Sequence, residues 1–280
     1  MGEATNEPAG RDAPNPGKPG WPERARRGDW PEAGPAPGLL AAAGEATHAR
    51  TLKQDRRSTV RLVDDPADHP ADRGGEGGSP RQWVVKTYHL HAVRRAAAAR
   101  LRQSPAWREF RAFGRLREAG LRVPPCVALV GRPDGDEALV MPYIDAEDLE
   151  AFIAGSDDPL ARARVARAVG AQAGALLRAG LVNRDHKVSN LLIDASCRES
   201  GEPPIIIDPL GLRRRDPVRR GRVDRMWARL LETAVKAGPV SKREIVAAWR
   251  AGHPGAGRGE LVRQRRRIAS AYRDMGGPPL

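Results

Sequence analysis

Hydrophobic and polar positions alternate early in the chain and fall into helical spacing later. "ARTLKQDRRSTVRLV" (49–63) sets two short apolar-containing arms around a polar centre, the pattern of a β-hairpin. "RQWVVKTYHL" alternates so that Val84, Lys86 and Tyr88 share one face and Trp83, Val85 and Thr87 the other: a strand with a lysine in one face. "HAVRRAAAARLRQ" and "SPAWREFRAFGRLREAG" read as helices. The second has Ser104 as N-cap, Pro105 at its first position, Gly120 just past its end, and Trp107, Phe110, Phe113 and Leu116 along one side. Glu109 lies one and two helical turns before Phe113 and Leu116 and so borders that side. "CVALVGR" and "EALVMPYI" form another strand pair around the turn "PDGD".

From "DAEDLEAFI" onward the spacing is mainly helical. It includes "PLARARVARAVGAQAGALLRAG", with Gly180 as C-cap, and "RQRRRIASAYRD", with Ile268, Ala271 and Tyr272 turned inward. "PPIIIDPLGL" interrupts this as a short β-branched run ending in an aspartate. Strands first and helices later, with one late exception, predict a two-lobed α+β protein. Residues 1–47 are dense in Pro, Gly and Arg without a sustained period and cannot bury enough surface to offset their ordering entropy, so a disordered tail is expected. "DDPADHPADRGGEGGSP" (64–80) reads as a loop. The folded part divides into a β-rich lobe at 48–144 and a helical lobe at 145–280.

Composition narrows the partners. The 280 residues carry a net charge of +13, which favours phosphates, acidic glycans, anionic lipid or nucleic acid without choosing among them. Cys126 and Cys197 are the two cysteines and have no metal-ligand spacing, so neither a disulfide framework nor a zinc site is supported. No apolar stretch approaches the roughly 18 residues of a spanning helix, and the N-terminus has no apolar signal core. The expectation is a cytoplasmic protein without a transmembrane segment, its charge compatible with peripheral contact at the inner face of an anionic membrane. Aromatics are 4% of the chain and do not interleave with the arginines, which argues against single-stranded nucleic acid as partner.

"NRDHKVSN" (183–190) enters the apolar run Leu191, Leu192, Ile193 through an Asp, a Lys two residues on and an Asn five residues on, and "IIID" follows. Asp185 alone reads as a turn or capping residue, and Lys86 and Glu109 alone as surface charges. Phosphoryl transfer, however, needs a carboxylate at the attacking hydroxyl, cations on the migrating group, and hard oxygen ligands for magnesium. Asp185, Lys187, Asn190 and Asp208 supply these types in order.

The set resembles the catalytic and metal-binding loops of the protein-kinase-like fold. "VVKTY" resembles that fold's lysine strand, with Lys86 for the α and β phosphates and Glu109 as its helix partner, and "LVMPYIDAED" looks like its hinge. The resemblance implies that Met141 backs the adenine pocket, that the Pro142 carbonyl and Ile144 amide face adenine, and that Asp148 meets the ribose. Within the fold, "LKQDRRSTVRLV", "SPAWREFRAFGRLREAGLRVPPCVAL", "NRDHKVSNLLI" and "RGRVDRMWARLLETA" resemble the lipopolysaccharide core kinases, which phosphorylate Kdo or heptose sugars. That resemblance runs from 50 to 275. It implies an ATP- and magnesium-dependent kinase in which Asp185 and Lys187 act on the transferred group, Asn190 and Asp208 hold the metal, and Asp224 supports the catalytic loop. The hairpin "KQDRRST" has no glycine-rich loop, so backbone amides, Ser58 and Arg57 would cover the nucleotide. Asn183 stands where the loop usually begins with His, and Pro209 and Leu210 replace Phe-Gly.

Fifteen residues separate Asp208 from Asp224 and no A-P-E occurs among them, leaving little room for a peptide platform. The expected acceptor is a hydroxyl of a sugar, a glycolipid or another small molecule. "RRRDPVRRGR" (213–222) reads either as a solvated charge run or as a patch for an anionic acceptor. The competing functions are a nucleotide-binding scaffold of the same fold with weak or no turnover, and a small atypical protein kinase.

Overall fold

The computed structural model describes residues 49–64, 82–89, 104–124, 128–131, 137–214 and 220–276. The expected tail, the loop beyond Asp64, the helix at 91–103 and the "PDGD" turn lie outside them.

β1 (Ala49–Gln54) and β2 (Ser58–Asp64) form the expected hairpin. Its turn is closed by Asp55, whose Oδ1 accepts from the amides of Arg57 at 2.7 Å and Ser58 at 2.8 Å. β3 (Gln82–Tyr88), β4 (Ala128–Gly131) and β5 (Glu137–Pro142) complete an antiparallel sheet in the order β1-β2-β3-β5-β4. Helix α1 (Pro105–Glu118) covers one face, burying Ala106 and Phe113 against Tyr88, Leu129, Leu139 and Met141. Ser104 caps it, accepting from the Trp107 amide at 3.1 Å.

The buried side of α1 is rotated from the expected one. Ala106, Glu109, Ala112, Phe113 and Leu116 face inward, whereas Trp107 and Phe110 stack on each other with centroids 5.7 Å apart and stay half-buried. The stripe at 106, 109, 113 and 116 keeps helical spacing, and it puts Glu109 at its centre rather than its border.

The second lobe contains α2 (Leu149–Gly155), α3 (Pro159–Arg178), α4 (Ala195–Ser200), α5 (Arg220–Ala237), α6 (Lys242–Gly252) and α7 (Arg258–Asp274). α3 is its central post, with Val165, Ala173 and Leu176 almost wholly removed from solvent. Gly170 and Gly174 face α6, and a Cβ on either would run into the carbonyls of Ala248 and Gly252, so these helices meet backbone to backbone. α7 turns Ile268 and Tyr272 inward as expected.

This lobe is less purely helical than its sequence pattern. Its described residues hold five short strands: β6 (Glu147–Asp148), β7 (Leu181–Asn183), β8 (Leu191–Ile193), β9 (Ile205–Ile206) and β10 (Leu212–Arg214). Two or three residues are too few for alternation to register, so only the "PPIII" run was legible. β6, β8 and β9 form one sheet and β7 and β10 another, all antiparallel. These strands carry the chemistry-bearing turns: residues 184–190 leave β7 and enter β8, and Asp208 sits between β9 and β10.

The lobes are joined behind α1. The Ile206 amide donates to the Arg122 carbonyl at 2.9 Å. The Arg122 guanidinium donates to Asp194 Oδ2 at 2.5 Å, the Pro203 carbonyl at 2.9 Å and Ser196 Oγ at 3.2 Å. Burial alone would raise the Asp194 carboxyl, but Arg122 and the Cys197 amide outweigh it and hold the group at about 2. No helix among the described residues is long and apolar enough to cross a membrane.

Candidate active site

A cleft of about 1230 Å³ lies between the lobes, lined by Lys86 and Glu109 from above and by Asp185, Lys187, Asn190 and Asp208 from below. Six residues singled out from separate stretches of sequence thus meet at one opening.

Lys86 projects from β3, flanked by β2 and β5, and is 9% exposed. Its Nζ lies 2.9 Å from Glu109 Oε2 and 2.8 Å from Asp208 Oδ1, so it is no snorkelling surface lysine. Tyr88, two residues on and therefore on the same face, donates its hydroxyl to Glu109 Oε2. Burial pulls the lysine downward, but the two carboxylates outweigh that and its net shift is upward. Burial likewise pushes the Glu109 carboxyl up, to about 7, against the pull of Lys86.

Asp208 has φ 53°, the one non-glycine residue with positive φ among those described. Left-handed backbone is uncommon for an L-residue, though Asp tolerates it better than most. Strain of this kind concentrates at functional positions, and here it accompanies a carboxylate turned onto Lys86.

Residues 184–190 are held by a set of backbone bonds. The Asp185 amide donates to Asn183 Oδ1 at 3.1 Å, and Asn190 Nδ2 donates to the Asp185 carbonyl at 3.0 Å. The Arg184 amide donates to the Gly211 carbonyl at 3.2 Å, and the Val188 amide to Thr233 Oγ1 on α5 at 3.2 Å. Across β8 and β9, the Ile207 amide donates to the Asn190 carbonyl at 2.9 Å, which keeps Asn190 beside Asp208. Lys187 Nζ stands 3.8 Å from Asp185 Oδ2. Asn183, the departure from the usual histidine, is 1% exposed and serves the loop as an internal acceptor. His186 is fully buried, its ring nitrogens have no hydrogen-bond partner among the described residues, and burial pulls it down to about 4, so it is neutral.

Met141, Pro142 and Ile144 line the cleft where the lobes connect, and the Tyr143 amide is used by the Gln82 carbonyl at 2.9 Å. Ser58 and Arg57 also line it, although the Ser58 amide and hydroxyl are both turned to Asp55. Asp148 takes a structural role: its Oδ1 caps α2 by accepting from the Ala151 amide at 2.8 Å.

Asp224 is also different in its bonds. It is buried and accepts from Arg267 Nε at 3.2 Å, while its Oδ1 has no hydrogen bond among the described residues. The bond from α5 to the 184–190 loop runs through Thr233 instead. Sequence reading also missed Tyr88 as a partner of Glu109, although its place two residues after Lys86 was a usable signal.

The donor set suits magnesium. Asn190 and Asp208 offer hard oxygens in one cleft, and with Asn190 Nδ2 engaged by Asp185 its remaining polar atom is the amide oxygen. No group of three or more His, Cys, Asp or Glu able to hold a metal occurs among the described residues. Two protein oxygens would leave the rest of such an ion's shell to phosphate and water.

Residues 58–246 match the family described as lipopolysaccharide kinase (Kdo/WaaP). A solved structure, "WaaP in complex with acyl carrier protein", has a similar fold, with a TM-score of 0.56 and 19% identity over 86% of this chain and 98% of that one. No curated protein matches. With more than half of the chain matched and the two-lobed fold shared, the protein belongs to the lipopolysaccharide kinase (Kdo/WaaP) family and is a phosphotransferase acting on a hydroxyl.

Proposed function

We propose that the protein transfers the γ-phosphoryl group of ATP to a hydroxyl of a sugar, free or in a glycolipid of the lipopolysaccharide core type. The observation that carries this reading is the contact of Lys86 with Asp208 at 2.8 Å, in the cleft that Asp185 and Asn190 also line. In this reading residues 48–144 hold the nucleotide and 145–280 hold the acceptor, in the cytoplasm.

Lys86, fixed by Glu109, positions the α and β phosphates. Met141, Pro142 and Ile144 receive the adenine, and Ser58 and Arg57 lie over the phosphates. Asp185 orients the acceptor hydroxyl and takes its proton as the bond to phosphorus forms, while Lys187 offsets charge on the migrating group. Asn190 and Asp208 would hold magnesium, which supplies charge neutralisation on the phosphates.

The test is a magnesium-dependent assay with labelled ATP against deacylated lipopolysaccharide core. Wild type is expected to label the core and Asp185→Ala to lose at least two orders of magnitude in kcat, with ATP affinity retained. A second reading, a nucleotide-binding scaffold, is favoured by the glycine-free hairpin and by Ser58 being held on Asp55. ATP-induced thermal stabilisation with no transfer to any core fraction would select it.

A further inference from the structure

Of the two carboxylates on Lys86, Glu109 is the buried one, its side chain 1% exposed against 31% for Asp208. The lysine's fixed partner is therefore Glu109, and whatever holds Glu109 sets where the ammonium points. Lys86 Nζ bridges both oxygens of that carboxylate, at 3.1 Å from Oε1 and 2.9 Å from Oε2. Among the described residues one further donor reaches it, the hydroxyl of Tyr88.

We propose that Tyr88 is a positioning residue for the nucleotide, its hydroxyl locking the Glu109 carboxylate in the orientation that aims Lys86 at the phosphates. This rests on the reading of the cleft as a kinase's nucleotide site, and deepens it. Lys86 and Tyr88 stand two residues apart on β3, so they leave the same face of the sheet and both meet Glu109 on α1. Two donors at a fixed spacing on a strand define the plane of one carboxylate on a helix. With a single donor the carboxylate would turn about its last torsion, which has broad minima.

Tyr88 is itself held. β3 is an inner strand of its sheet, and Tyr88 stands opposite Ser58 of β2 on one side and Glu137 of β5 on the other. The residue is 4% exposed, lines the cleft and packs in the cluster of Phe113, Leu139 and Met141. Lys86 Nζ lies over its ring, 5.2 Å from the centroid, where the negative face of the ring attracts the ammonium. One side chain thus touches both members of the ion pair, its ring the lysine and its hydroxyl the carboxylate. A phenylalanine would fill the same space and keep the ring contact, so what tyrosine adds is the bond to Glu109. A buried hydroxyl and a buried carboxylate are each costly without partners, and here each satisfies the other.

The test is Tyr88→Phe in the full-length protein, with ATP binding read by equilibrium titration, kinetics with ATP and deacylated lipopolysaccharide core each varied, and unfolding in urea. Loss of the hydroxyl is expected to weaken ATP binding and raise KM for ATP by roughly three- to tenfold, with kcat and KM for the core within about twofold of wild type. In a Glu109→Ala background the hydroxyl has no acceptor, so Tyr88→Phe should cost ATP binding nothing further. A tyrosine that only packs would lower the urea midpoint and leave KM for ATP where it is. That result overturns the proposal, as does an equal loss of ATP binding in the Glu109→Ala background. Weakened ATP binding by Tyr88→Phe in a protein that transfers no phosphate to any core fraction would sink the kinase reading and leave the positioning of Lys86 standing. Transfer by wild type with unchanged KM for ATP in Tyr88→Phe would do the reverse.

Discussion

Gly211 packs flush against the backbone of Asp185. A Cβ at 211 would sit 2.8 Å from the Asp185 amide nitrogen, which is backbone, and 2.7 Å from Asn183 Oδ1, which is buried and held by that same amide. The glycine that follows the metal-side aspartate is therefore a spacer for the catalytic-side aspartate.

Gly211→Ala is accordingly expected to push residues 183–185 out of place, at a cost of about 1–3 kcal/mol in stability. Activity should fall further than stability explains, because a displacement of about 1 Å at a reacting group costs on the order of a hundredfold. Wild-type kcat from a folded Gly211→Ala protein would contradict this.

Lys86, Glu109 and Asp208 act as one unit, so their losses should not add. Lys86→Met is expected to reduce kcat/KM for ATP by roughly a hundredfold and Glu109→Gln by roughly tenfold. The double variant should be no worse than Lys86→Met alone, since Glu109 acts through the lysine. Steady-state kinetics with ATP varied would read this, and additive losses would break the unit apart.

Thr233→Val removes the acceptor for the Val188 amide and leaves that buried N–H unpaired, at a cost of about 1–3 kcal/mol. Because the loop carrying Asp185 and Lys187 loses its tie to α5, kcat should fall while ATP affinity, measured by equilibrium binding, holds. Thr233→Ser, which restores the hydroxyl, should recover most of both. Failure of serine to rescue would show that the methyl group, not the bond, matters.

His186 sets a pH dependence. Its folded value near 4 lies below the ordinary 6.5, so between those values the unfolded chain takes up a proton that the folded one refuses. Stability should therefore fall as pH drops from about 6.5 to about 4, by roughly 3 kcal/mol in total from this group. His186→Leu should flatten that part of the profile in denaturant titrations run at each pH. A variant slope equal to wild type would place the loss elsewhere.

The order of chemical groups was legible because their identities are what chemistry requires: Lys86, Glu109, Asp185, Asn190 and Asp208 are recognisable as types at spacings, and the fold gathers all of them. What escaped reading depends on rotation and on distant backbone. Alternation could not reveal strands of two or three residues. The α1 stripe was centred on its largest rings, whereas the helix buries Glu109 against Lys86. Asp148 was read through its resemblance to a hinge residue, and an aspartate just before a helical run also fits the capping role it takes. Thr233 has no pattern at all, since its work is to receive one N–H from a loop 45 residues earlier in the chain.

The Arg122 joint gives α1 an unusual mechanical position. Its far end is tied to the lower lobe by a backbone bond to Ile206 and by a guanidinium spread over three acceptors, 13 residues after Glu109. A helix clamped in this way is a short lever, and swinging Glu109 away from Lys86 would mean tearing the clamp first. The Lys86–Glu109 pair is thus seated on a helix whose following loop is anchored in the other lobe.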